Sequence, residues 1–125
     1  MENIFSDVML DKIKFIDNRQ DIQFEFYDSE NGNDLGKVIC EKIFLFNCHT
    51  AFEPNEESFP CFVLDVNIHE LENDDIVLKF KKYNYGYSGG DKPIIPKSAA
   101  YHLLKIEGGP IDITVICERI EINTV

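Results

Sequence analysis

Tryptophan is absent from this 125-residue sequence, and arginine is nearly so, with Arg19 and Arg119 alone. Basic residues number 12 against 23 acidic ones, a formal charge of −11. Nucleic-acid binders set Lys and Arg against phosphates and release counterions, so a chain of this balance repels a phosphate backbone. An anionic bilayer surface is disfavoured for the same reason. No apolar run approaches the length of a transmembrane helix. The opening residues, Met1-Glu2-Asn3-Ile4-Phe5-Ser6-Asp7, lack the basic start and apolar core of a secretory signal. A cytoplasmic location is therefore expected.

Closely spaced metal-ligand pairs are missing too. Cys40, Cys48, Cys61 and Cys117 fall at irregular intervals inside or beside apolar segments. A structural zinc site shows repeated pairs such as C-x2-C. His49, His69 and His102 add no repeat, so neither a metal nor another cofactor is expected. Without an export signal the four cysteines read as free thiols packed as small hydrophobes. Cys48 and His49 are adjacent, and adjacent residues on a strand point to opposite faces, which disqualifies them as a nucleophile and its base. The run Glu70-Leu71-Glu72-Asn73-Asp74-Asp75 lacks the glycine and closing glutamate of a calcium loop. Gly86-Tyr87-Ser88-Gly89-Gly90-Asp91-Lys92 has no G-x4-G-K-[ST] pattern and no helix after it. No enzyme is expected from these motifs.

What the sequence does hold is alternation. Ile22, Phe24 and Phe26 share one phase, with Gln23 and Glu25 in the other, which is the rhythm of a half-buried strand. Residues 12–16 alternate as well, and Asp17-Asn18-Arg19-Gln20 between them is turn-like, so a first hairpin is expected. In 37–46 Val38 and Cys40 are in one phase and Ile43 and Leu45 in the other, which predicts a bulge or a strand that changes sheet. Segment 61–69 is expected to turn Phe62, Leu64, Val66 and Ile68 inward. It is also expected to pair with 75–81, where Ile76, Leu78 and Phe80 face the same way. A third hairpin is expected from 101–106 and 111–117 around Glu107-Gly108-Gly109-Pro110. The phase changes again between Cys117 and Ile120, which places a second bulge near Glu118 and Arg119. A short helical turn is expected at most near Met9 or around Ser98 to Ala100.

These signals give one all-β, mainly antiparallel domain over residues 1–125, a β-sandwich or partly open barrel of about seven or eight strands. Two surface features stand out as binding candidates. Tyr83, Tyr85 and Tyr87 sit among Asn, Ser and Gly in the longest irregular stretch, and that mixture supplies rigid amphipathic contacts on an adaptable loop. Glu53, Glu56 and Glu57 in one loop, with Glu70, Glu72, Asp74 and Asp75 at another, form acidic surface. Such charge attracts a basic protein partner.

The small acidic chain, the serial hairpins and the closing strand Ile111-Asp112-Ile113-Thr114-Val115-Ile116-Cys117-Glu118 resemble immunity-like proteins of bacterial polymorphic toxin systems. That resemblance implies a basic toxin domain neutralised by direct binding. The expected function is accordingly a non-catalytic protein-binding module. Two alternatives stand beside it: a small-molecule or carbohydrate-binding β domain with the tyrosines lining a pocket, and a structural subunit that assembles through an open strand edge.

Overall fold

Alternation of apolar and polar side chains leaves the backbone no better course than extended strands, and six of them carry the described chain. The computed structural model describes residues 2–16, 20–51, 59–71 and 101–125. Its strands are β1 (Glu2–Ile16), β2 (Asp21–Asp28), β3 (Asp34–Thr50), β4 (Cys61–Leu71), β5 (Tyr101–Gly108) and β6 (Ile111–Thr124). All pairings are antiparallel, and the sheet closes on itself in the order β1-β2-β3-β6-β5-β4. The expected all-β antiparallel class is what the chain adopts. Of the two architectures the barrel is the one formed, and it is closed rather than partly open.

Two predicted hairpins are present. β1 and β2 meet with Ile16 opposite Asp21, and β5 and β6 meet with Gly108 opposite Ile111. Gly109, at φ +59, takes the first central position of the second turn, the place a type II′ hairpin reserves for glycine. The strand expected over 75–81 lies outside the described residues. Among the described residues, β4 pairs with β1 on one side and β5 on the other.

Met9 does not sit in a helical turn. It lies within β1, opposite Tyr27 of β2 and Phe62 of β4. The helical turn expected around Ser98 to Ala100 lies outside the described residues. Strand β1 runs 15 residues and β3 runs 17. β1 thus extends well before the alternation expected over 12–16, and β3 extends past both ends of the strand expected over 37–46; the described residues hold six strands.

The barrel interior is filled by side chains, as a small barrel requires. Leu10, Ile22, Phe24, Phe26, Val38, Cys40, Val63, Val66, Leu104, Ile106 and Ile113 are within 1% of complete burial and belong to one cluster. Burying each phenylalanine contributes roughly 2–3 kcal/mol. On the opposite face of β5 and β6, Leu103 and Ile116 join Leu45, Leu71 and Tyr101 in a second, smaller cluster. Phe44 meets Tyr101 there edge-on, ring centroids 5.4 Å apart.

Two kinks shape the ring. Lys42 in β3 and Asp7 in β1 both have φ +54, in the left-handed region that side chains other than glycine seldom adopt. At Lys42 the inward phase passes from Val38 and Cys40 to Ile43, and the paired strand β6 switches at the same level, from Cys117 to Ile120. Both phase changes read from the sequence are therefore present, but the second comes without the bulge expected near Glu118 and Arg119. Strand β6 pairs with β3 in unbroken register from Ile120 to Cys117, and the kink at Lys42 turns both strands together. The register itself slips one step further on, where Phe44 and Leu45 together oppose Ile116. That slip turns Leu45 into the second cluster, out of the phase it was expected to share with Ile43.

At Asp7 the inward phase passes from Val8 back to Phe5, and β4 switches with it from Val63 to Val66. This second switch corrects the expected orientation of β4. Cys61 and Val63 point inward, while Phe62 and Leu64 are exposed. The register with β1 decides it, because Leu10 and Val8 already face the core opposite Cys61 and Val63. Val66 is buried as expected, and Ile68 packs half-buried against the core.

Candidate functional site

The sequence candidates fall almost entirely outside the described residues. Tyr83, Tyr85, Tyr87, Glu53, Glu56, Glu57, Glu72, Asp74 and Asp75 all do. Glu70 alone is described, exposed near the end of β4 and directly opposite His102 of β5. With Glu2, Ile68, His69 and His102 it lines an open groove of about 510 Å³. His69 precedes Glu70 on the strand and therefore projects from the other face of the sheet. Among the described residues no three His, Cys, Asp or Glu side chains converge to hold a metal ion.

The thiols are placed for packing. Cys40, Cys61 and Cys117 are buried, and Cys48 is exposed near the end of β3. Burial, reinforced by the charge of Asp112, pushes the Cys48 thiol up from its ordinary value. Burial pushes Cys61 up to about 11. The Cys40 thiol is also raised, by its contact with the Cys117 thiol and by burial. The thiolate is the nucleophile, so upward shifts lower reactivity.

Charge is the more informative feature of the surface. Register places Asp65 of β4 opposite Glu107 of β5, and Glu107 opposite Asp112 of β6. All three are exposed. Directly opposed residues on a sheet have Cβ atoms about 5 Å apart, and like charges at that spacing destabilise the sheet. One cation answers this row: Lys105 reaches the carboxylate of Asp112 and bonds Thr114 Oγ1 at 3.0 Å. At the other end Asn3 donates to Asp65 Oδ1 at 3.3 Å and to Asn67 Oδ1 at 2.9 Å, and the Ser6 hydroxyl donates to Asn3 Oδ1 at 2.9 Å. Elsewhere among the described residues three carboxylates have basic neighbours, Glu25, Glu41 and Glu118. The Lys14 ammonium stands 3.0 Å from Glu25 and holds that carboxyl below its usual range. Arg119 donates to Glu41 at 2.9 Å.

Beside the acidic row lies apolar surface. Phe62 is 37% exposed and Leu64 47%. Phe62 is in register with Met9, Met9 with Tyr27, and Tyr27 with Asp34. The last two border a smaller groove of about 250 Å³ with Asp11, Glu25, Phe26 and Gly32. Leu64 is seated on Gly108, where a Cβ would stand 2.5 Å from the Leu64 Cβ and 2.6 Å from its backbone nitrogen. Only glycine permits that approach, and Gly108 also holds φ +116. Sequence reasoning missed this face because Cys61-Phe62-Val63-Leu64 is apolar in both phases. Asp65 and Asn67, polar and in the phase of Cys61 and Val63, pointed to the opposite orientation, so no local signal marked the switch.

A family model described as "-like" matches residues 3–124. The chain belongs to that family. The match takes in all six strands but for Glu2 at the start of β1, and with them the acidic row and the apolar surface beside it. Among solved structures, the fold is similar to that of a crystal structure of an uncharacterized protein from Neisseria gonorrhoeae, with a TM-score of 0.66. The two share 23% identity over 99% of this chain and 97% of that one, a likeness of fold. No curated protein matches the chain.

Proposed function

We propose that this family member is a non-catalytic binding module that captures a basic protein partner, and that the partner is a toxin domain held inactive by direct contact. The observation that carries the reading is the row of Asp65, Glu107 and Asp112 across three strands. Opposed carboxylates weaken the sheet that bears them, and a cationic partner removes that cost on docking. The formal charge of −11 extends the same field over the molecule and steers basic partners toward it. The filled barrel interior favours recognition on the outer surface over enclosure of a small molecule. Closure of the ring pairs every strand on both sides over part of its length, which disfavours assembly through an open edge. The raised thiols suit packing rather than covalent catalysis.

The test is association with a basic toxin domain captured from the source cell by the purified protein, measured by stopped flow across a range of salt. The association rate should fall steeply as salt screens the encounter. A rate indifferent to salt refutes electrostatic capture. Binding that leaves the toxin domain's activity intact refutes neutralisation.

A further inference from the structure

We infer that the outer face of β4 around Phe62 and Leu64 is the docking surface, and that its occupant is a cationic protein segment presenting an apolar side chain between Lys or Arg residues. This rests on the basic-partner reading above and names the place and the chemistry of contact.

Three observations converge on the face. First, Phe62 and Leu64 are large apolar side chains that the phase switch between Val63 and Val66 leaves outside the core. On an extended strand residues two apart project from the same face about 7 Å from each other. Neighbouring side chains of an extended partner repeat at the same interval. Second, Leu64 is held in place. Gly108 gives up its Cβ so that Leu64 can lie against the β5 backbone, and at the turn glycine Gly109 a Cβ would stand 3.0 Å from the Phe62 carbonyl oxygen. An anchor fixed before binding loses little conformational freedom on binding. Third, the surroundings are acidic. Asp7 lies across from Leu64 on β1, Asp65 follows it on β4, and Glu107 stands opposite Asp65 on β5. An apolar patch flanked by carboxylates accepts a partner with an apolar tip and the opposite charge.

The probe is a synthetic peptide of alternating lysine and leucine, titrated into isotope-labelled protein and followed by amide shifts. A lysine–serine peptide of equal charge and length is the control. The lysine–leucine peptide should perturb residues 6–9, 62–65 and 107–109, and should bind at least about tenfold more tightly than the control. The double substitution Phe62→Ser with Leu64→Ser should remove that advantage at an unchanged melting temperature. If it unfolds the protein, Phe62→Thr alone, a strand-compatible change, repeats the measurement. Asp65→Asn with Glu107→Gln should flatten the salt dependence of the lysine–leucine peptide.

Equal affinity of the two peptides overturns the apolar anchor. Shifts that map to another acidic part of the surface overturn this face and leave the basic-partner reading standing. Failure of both cationic peptides to bind overturns the face and the reading together. A dimer seen by sedimentation and dissolved by the double substitution overturns the stated occupant, because a second copy of the chain then covers the face.

Discussion

Cys48 and Cys61 show how position sets the chemistry of a side chain. Both thiols are raised, Cys61 to about 11, with burial the first cause in each. Alkylation follows the thiolate, so at about pH 8 Cys48 and Cys61 in the native protein should react more slowly than free cysteine. Exposure should then set the order. Cys48 should label first, Cys61 after it, and the fully buried Cys40 and Cys117 only as the chain unfolds. In urea all four should label together. Peptide mass mapping of a timed iodoacetamide reaction reads the order directly, and labelling of Cys117 ahead of Cys48 contradicts the packing described. The thiols were legible in the sequence as small hydrophobes because their neighbours were apolar. The facing of Phe62 and Leu64 was not, because it depends on which residues of β1 stand opposite, and a single strand carries no record of its partner.

Hairpins are local, and local chemistry announced them: turn residues between alternating segments sufficed for β1–β2 and β5–β6. The closing pairs β1–β4 and β3–β6 join segments far apart in sequence, and nothing short-range encodes them. The kink in β3 falls between these regimes. Its phase change was legible, but its anchoring was not. Strand β3 leaves β2 just past Cys40, where its amides lose their ladder partners. Two groups near the start of β2 replace them: Asp21 Oδ1 accepts from the Lys42 amide at 2.9 Å, and the Gln20 carbonyl accepts from the Ile43 amide at 2.8 Å. Asp21→Ala removes the first acceptor from a bend already held at positive φ. The expected cost is about 1–2 kcal/mol, somewhat above a neutral hydrogen bond because the acceptor is charged. Urea unfolding should show a lower midpoint at an unchanged slope. Asp21→Asn keeps an acceptor oxygen and should recover most of the loss, whereas an aspartate acting only through its net charge predicts equal loss in both variants.

At the scale of the molecule, charge and fold oppose each other. The formal charge of −11 repels itself more strongly in a closed barrel than in an expanded chain, so folding works against it. Four ion pairs among the described residues act the other way: Lys14–Glu25, Lys42–Glu118, Lys105–Asp112 and Arg119–Glu41. Each lies at the surface, where such a pair contributes about 0–1 kcal/mol. Added salt weakens both terms, and their balance fixes the sign of the response. The excess of acids exceeds what these pairs neutralise, and the row of Asp65, Glu107 and Asp112 concentrates part of it. Repulsion should therefore win. Raising sodium chloride from about 0.01 M to about 0.3 M shortens the screening distance from roughly 30 Å to well under 10 Å. The urea midpoint should rise over that interval. Neutralising the row with Asp65→Asn and Glu107→Gln should raise the midpoint at low salt and shrink the further gain from salt, because the two treatments relieve the same repulsion. A wild-type midpoint that falls with salt shows the ion pairs dominating. A double variant less stable than the wild type at low salt shows that the row is not a source of strain, and takes away the energetic reason for a cation to dock on it.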